Sequence, residues 1–303
     1  MNHGFTYAKA LAASEKINWK VEDIIGAEHR LDFTKPFMPE SFVRARQLDF
    51  LDAEDKLTLN HIRAHGYLYT FGLVEEFILP FVLDHARPML ARDDLRTRAL
   101  LRFASEEAKH IHLFRSFERE FAAGFPTTCD MIGPADEVAR AVLAHHPLSV
   151  ALLTLQLEWM TQRHYLESIR DDQGLDEQFK SMLRHHWMEE AQHAQLDTLM
   201  VEAIAATCDA KQFEQAVDGY LEIGGMFDGA FKQQAAFDLD ALQRATGQRF
   251  GAAESERFIA LQHQAMRWTY LGSGLSHANF LGTVGALSPA SATRLSEVAK
   301  VFM

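Results

Sequence analysis

Cysteine is scarce in this sequence: two residues among 303, Cys129 and Cys208, with no Cys-x-x-Cys pair. That excludes a disulfide framework and a thiolate zinc site, and leaves two free thiols. Basic residues are also in deficit, 30 Lys and Arg against 42 Asp and Glu for a net charge of -12. The deficit argues against a nucleic-acid partner and leaves negative charge for bound cations to neutralise. No window approaches the eighteen consecutive apolar residues of a membrane span, and the opening Met-Asn-His-Gly-Phe-Thr-Tyr lacks the layout of a signal peptide. No membrane span is expected, and a cytoplasmic location is. Period-two runs bounded by Asn-Gly or Asp-Gly turns are missing, which argues against strands. No Gly-x-Gly-x-x-Gly element for a nicotinamide or flavin occurs, so redox chemistry would draw on a separate electron donor. No stretch rich in glycine, serine or proline divides the chain, and a single domain over 1–303 is expected.

What is present is helical. A hydrophobic fraction of 48% with 24% charged residues is that of an ordinary globular protein. Residues 1–55, with Trp19, Phe33, Phe37 and Phe42 set among Pro36 and Pro39, read as an irregular N-terminal arm whose aromatics anchor it to a helical body. Long helices are predicted from about Leu57 to His85, from Asp93 or Asp94 to Ala123, from Pro147 to a stop at Gly174, and from Leu175 to Thr207, with a short one near Asp136 to His145. The four long ones make a core bundle over 56–208. Beyond Asp209 the pattern gives a fifth long stretch with a bend at Gly224-Gly225, a sixth from Ala252 to His277, and a tail from Gly282 read as a loop and a short last helix. The fold class is therefore all-α: a four-helix bundle core with additional C-terminal helices over 209–303.

The chemistry concentrates in His186 to His193, read His-Trp-Met-Glu-Glu-Ala-Gln-His. Helical spacing puts His186, Glu190 and His193 on one face while Trp187, Glu189 and Gln192 point elsewhere. A second Glu-x-x-His spans Glu107 to His110. Glu107 to Glu190 is 83 residues, His110 to His193 is 83, and 83 back from Glu158 is Glu75. Each half reads Glu, a second Glu 32 residues on, then His three further, which suggests a helix pair used twice. Glu75, not its neighbour Glu76, falls in the apolar sector of Phe71, Val74, Ile78, Leu79 and Val82. Glu158 likewise sits in an apolar run. Buried carboxylates need compensation, and two divalent cations would balance four of them, with imidazoles adding coordination without charge. Oxygen and nitrogen donors without thiolate suit iron, with manganese as the alternative. The candidate ligands are Glu75, Glu107, His110, Glu158, His186, Glu190 and His193. His185 reads as a surface residue, and His61, His65, His112 and His164 as core or surface. Tyr69, Trp159, Tyr165 and Trp187 lie near the bundle.

These residues resemble the ferritin-like di-iron carboxylate superfamily. The additional histidine in His186-x-x-x-Glu190-x-x-His193 is similar to the p-aminobenzoate N-oxygenase family, whose site has three histidines and four glutamates. The arm, with Trp19 followed by Pro36-Phe-Met-Pro-Glu-Ser, is similar in general character, so the resemblance runs from about Trp19 to Thr207. It implies one iron held by Glu75, Glu107 and His110 and the other by Glu158, His186, Glu190 and His193, some glutamates bridging. It also implies a cytoplasmic homodimer that uses O2 and outside reducing equivalents to oxygenate a small-molecule substrate, an arylamine or similar amine. Hydroxylase relatives often carry a threonine one turn after the third-helix glutamate, where this chain has Gln162, with Thr161 and Thr154 nearby. A di-iron hydroxylase or desaturase acting on a lipid, and a non-enzymatic iron-binding or ferroxidase protein, are the alternatives.

Overall fold

In a computed structural model, which describes residues 3–26 and 29–303, the chain is all-α, with no β-strand among the described residues. The arm opens with helix α1, Tyr7–Ser14, capped by Thr6, whose side chain accepts from the Lys9 amide. This segment was expected to be irregular. It precedes the prolines, and its buried Ala10, Leu11 and Ser14 share one helical face against the bundle, so nothing prevents a helix there. A single short turn, α2 at Glu40–Val43, follows Pro39.

The first core helix, α3, runs Ala53–Ala86 from a capping box of Asp52 and Asp55. Then come α4, Asp94–Gly124, capped by Asp93; α5, Ala135–Leu143; α6, Pro147–His164, with Pro147 in its first turn; and α7, Glu177–Ala205, capped by Asp176. A π-helical segment, Tyr165–Ile169, prolongs α6. Helix α3 pairs with α4 and α6 with α7, while α4 meets α7. By length and composition α3 could cross a membrane, yet it is a core helix: 67% of its apolar window is buried in the structure.

Helix α8, Ala210–Thr246, continues unbroken through Gly224 and Gly225, where a bend was expected. It packs across both α3 and α6. Helix α9, Ala252–Met266, passes into a second π segment, Arg267–Gly272, and the short α10, Ser273–Leu275. The tail differs from expectation. Gly282 lies inside a helix, α11 at Ala278–Leu287, and α12 follows at Pro289–Ala299. The buried Phe280, Thr283 and Val284 hold that glycine-containing turn in place. The bundle thus has two closed seams. Helix α1 covers the one between α4 and α7, and α8 spans the pair α3 and α6.

The arm is held by polar contacts as well as by its aromatics. Asn60 on α3 accepts from the amides of Phe37 at 2.7 Å and Met38 at 3.0 Å and donates to the Met38 carbonyl at 2.7 Å. Gly124 makes room for the Phe33 ring, because a Cβ there would lie 2.3 Å from it. Asn60→Ala would leave three buried backbone groups without partners, each worth about 1–3 kcal/mol. A loss of roughly 3 kcal/mol or more in denaturant-unfolding stability is expected, with helix content in the native state unchanged.

Candidate metal centre

All seven candidate ligands are buried, at 0 to 3% exposure, and converge between α3, α4, α6 and α7. Two sets of donor atoms lie close enough to share an ion, within 4.8 Å of one another: Glu75, His110, His186 and Glu190, and Glu107, His110, Glu190 and His193. Glu190 and His110 belong to both and sit at the middle. Glu158 meets Glu190 from α6. Burial and then the Glu190 charge hold the Glu158 carboxyl well above the ordinary carboxylate range. Glu76, by contrast, pairs with Arg115 at 2.6 Å on the surface.

The imidazoles are oriented for coordination. His193 turns Nδ1 inward, 2.9 Å from Glu107 and 3.2 Å from Glu190, and His110 turns Nδ1 to 3.1 Å from Glu190. The Nε2 of each ring meets an outer carboxylate at 2.9 Å: Glu189 for His110 and Glu106 for His193. Each outer carboxylate thus belongs to the opposite motif, and the two motifs cross-brace. Burial opposes protonation of these rings, but the surrounding carboxylates outweigh it, and both sit well above the usual histidine value.

Several atoms at the centre have no hydrogen-bond partner: both oxygens of Glu107, Oε2 of Glu75 and of Glu158, Oε1 of Glu190, and Nδ1 of His110. Buried polar atoms are rarely left so. Unpaired carboxylate oxygens beside inward-facing imidazole nitrogens, with no thiolate, fit two divalent cations of the iron or manganese kind.

His186 lies elsewhere in the cluster than the resemblance implies. Its Nε2 is 3.2 Å from Glu75 and 2.7 Å from Glu190, and its ring centroid is 4.6 Å from that of His110. It therefore groups with Glu75 and His110, not with Glu158 and His193. One helical turn is about 5.4 Å of rise, enough to carry His186 along α7 from one end of the pair to the other. On the far side, Phe103 stacks on His193 with centroids 4.1 Å apart.

The outer carboxylates were missed in the sequence. Glu189 was placed off the ligand face, and it is off that face, yet it is fully buried because α4 packs there. The signal was available: Glu106 and Glu189 precede the two ligand glutamates and are themselves 83 residues apart. Each also has a cation and a residue of the arm. Arg102 Nε lies 3.1 Å from Glu106, which accepts from Ser14 too. With His193, these contacts outweigh burial and bring Glu106 down to about 2. Lys109 Nζ lies 2.5 Å from Glu189 and 3.8 Å from the Trp19 ring centroid, and that indole stacks on His110 with centroids 6.1 Å apart.

The remaining residues have structural partners. His61 bonds the Lys35 carbonyl, His164 bonds Ser273, and His65 packs at a tilt against Phe121. His185, read as a surface residue, is half-buried against Trp19. Trp187 stacks on Tyr165, and Gln162 donates to the Trp187 carbonyl.

No family model matches the chain, and no curated protein matches it. Similar solved structures include R2-like ligand-binding oxidases. One, a tyrosine-to-phenylalanine variant with an aerobically reconstituted Mn/Fe cofactor, is 15% identical with a TM-score of 0.48, covering 87% of this chain and 93% of that one. Another, a glycine-to-leucine variant with an Fe/Fe cofactor, is 14% identical with a TM-score of 0.44, covering 86% and 91%.

Loss of an outer partner of a metal-binding histidine typically costs 10–100-fold in metal affinity. Glu189→Ala should weaken Fe(II) binding by about that factor in a chelator competition, whereas Glu76→Ala, on the neighbouring surface, should leave it unchanged.

Proposed function

We propose that the chain is a non-haem dinuclear metal oxidoreductase, with two iron ions or an iron and manganese pair, that uses O2 to oxidise a small organic molecule. The observation that carries this reading is the convergence of four buried glutamates, several of their oxygens without a hydrogen-bond partner, on inward-facing imidazole nitrogens in two sets of donor atoms close enough to share an ion. Two redox-active ions held there would supply electrons to O2 for oxidation of an amine nitrogen or a C–H bond.

The chain's own residues do the rest. Glu107, His110, Glu190 and His193 would form one end of the pair, and Glu75 and His186 the other, with Glu158 beside Glu190. Glu106 and Glu189 orient the His193 and His110 rings and fix Nε2 as the outward nitrogen. Phe71, Phe103 and Phe114, packed on His186 and His193, exclude water from the centre. Within this reading, N-oxygenation of an arylamine is the favoured reaction, because His186 adds a third imidazole to the cluster. Reducing equivalents would come from a separate donor.

Anaerobic protein should bind about two Fe(II) per chain and give a transient absorbance change on mixing with O2. Glu190→Ala, which removes the residue common to both donor sets, should abolish both. Product analysis with 4-aminobenzoate and other arylamines against fatty acids tests the reaction. Hydroxylamine or nitro products are expected, and oxidised fatty acid alone would replace N-oxygenation with C–H oxidation. Less than about one metal per chain would remove the reading altogether. His186→Ala should lower the affinity for one ion by about tenfold or more while the other still binds.

A further inference from the structure

The candidate ligands lie at 0 to 3% exposure, so an ion can reach or leave the centre only when some covering segment lifts. The two seams are covered with unequal strength. Helix α8, over α3 and α6, is 37 residues long and buries Phe213, Tyr220, Phe227 and Phe231. It is pinned by the ion pair of Arg63 and Asp238 and by Gln234, which accepts from the Ile132 amide and donates to the Asp130 carbonyl. Helix α1, over α4 and α7, has eight residues, of which only Ala10, Leu11 and Ser14 are buried. A helix that short does not persist alone in water, so α1 takes its form from docking. It is the cover that opens at least cost.

The arm also reaches both histidines of the Glu-x-x-His motifs through their outer carboxylates. Ser14 donates to Glu106, and Arg102 Nε donates to Ser14 Oγ at 2.8 Å and to Glu106 at 3.1 Å. Glu106 in turn holds His193. Five residues on, Trp19 lies against Lys109, which donates to Glu189, and Glu189 holds His110. The indole is also within 7° of parallel to the His110 ring. Each half-site thus has one arm residue on its outer pair. Lifting the arm loosens both imidazoles, and an ion that fixes the imidazoles rebuilds the surface on which the arm docks.

We infer that the arm over residues 7–20 is the gate of the metal centre: it lifts to pass an ion and closes on the loaded site. Arm docking and metal binding strengthen each other. The factor by which a bound ion favours the docked arm equals the factor by which the docked arm raises metal affinity. Such a gate presupposes the two-metal centre proposed above, but not its reaction with O2.

Mn(II) is the probe, with the full-length wild-type chain followed by hydrogen exchange and mass spectrometry. Amides of residues 7–14 should exchange about tenfold more slowly with Mn(II) bound than without, while those of α8 stay unchanged. Leu11→Asp loosens the arm without altering an outer carboxylate or a ligand. It should speed Mn(II) release to a chelator by about tenfold, whereas Gln234→Ala, which loosens the α8 cover, should leave release unchanged. Equal exchange of residues 7–14 in metal-free and loaded protein overturns the inference, and needs no variant. So does unchanged release from a Leu11→Asp protein whose arm exchanges freely, or faster release from Gln234→Ala alone. A wild-type chain that binds neither Mn(II) nor Fe(II) sinks the two-metal reading itself, whereas one that binds them with no response in the arm sinks only the gate.

Discussion

Six glutamates, Glu75, Glu106, Glu107, Glu158, Glu189 and Glu190, lie at 0 to 3% exposure inside one helical body, and an unpaired buried carboxylate costs several kcal/mol. The fold handles them in two groups. Glu106 and Glu189 face outward, each against one cation at the edge of the core, Arg102 or Lys109. The inner four have no such cation, and two divalent ions would balance them. The N-terminal arm belongs to this arrangement, because Ser14 and Trp19 finish the outer pairs. So do the long flanking helices, whose apolar surfaces keep water from the inner group.

The two sides of the bundle carry their charge differently. Glu106 and Glu189 meet Arg102 and Lys109 on the α4 and α7 side. On the α3 and α6 side the buried ion pair of Arg63 and Asp238, 3.2 Å apart, ties α3 to α8. Gln234 completes it, donating to Asp238 and bonding the Ile132 amide and Asp130 carbonyl. Charge on that side is spent on holding the covering helix in place.

Much of this was legible in the sequence because the repeat is exact in number. The 83-residue offset selected Glu75 over Glu76, and the structure buries the one and leaves the other on the surface. One helix boundary followed from local capping: Asp93, offered with Asp94 as an N-cap, caps α4. What was not legible depends on packing between distant segments. Glu189 lies off the ligand face of its own helix, and only the approach of α4 makes it a partner of His110. The end of the pair that His186 joins depends on how α7 is set against α3.

The stack of Phe103 on His193 looks like ordinary core packing until it is placed on the repeat. Eighty-three residues after Phe103 is His186, so the same position of the duplicated helix holds a nitrogen donor in one half and a closed hydrocarbon ring in the other. The two halves match in their glutamates and differ at this position. One pole of the centre is walled, the other offers an additional donor, and a scaffold of two equivalent halves has acquired a front and a back.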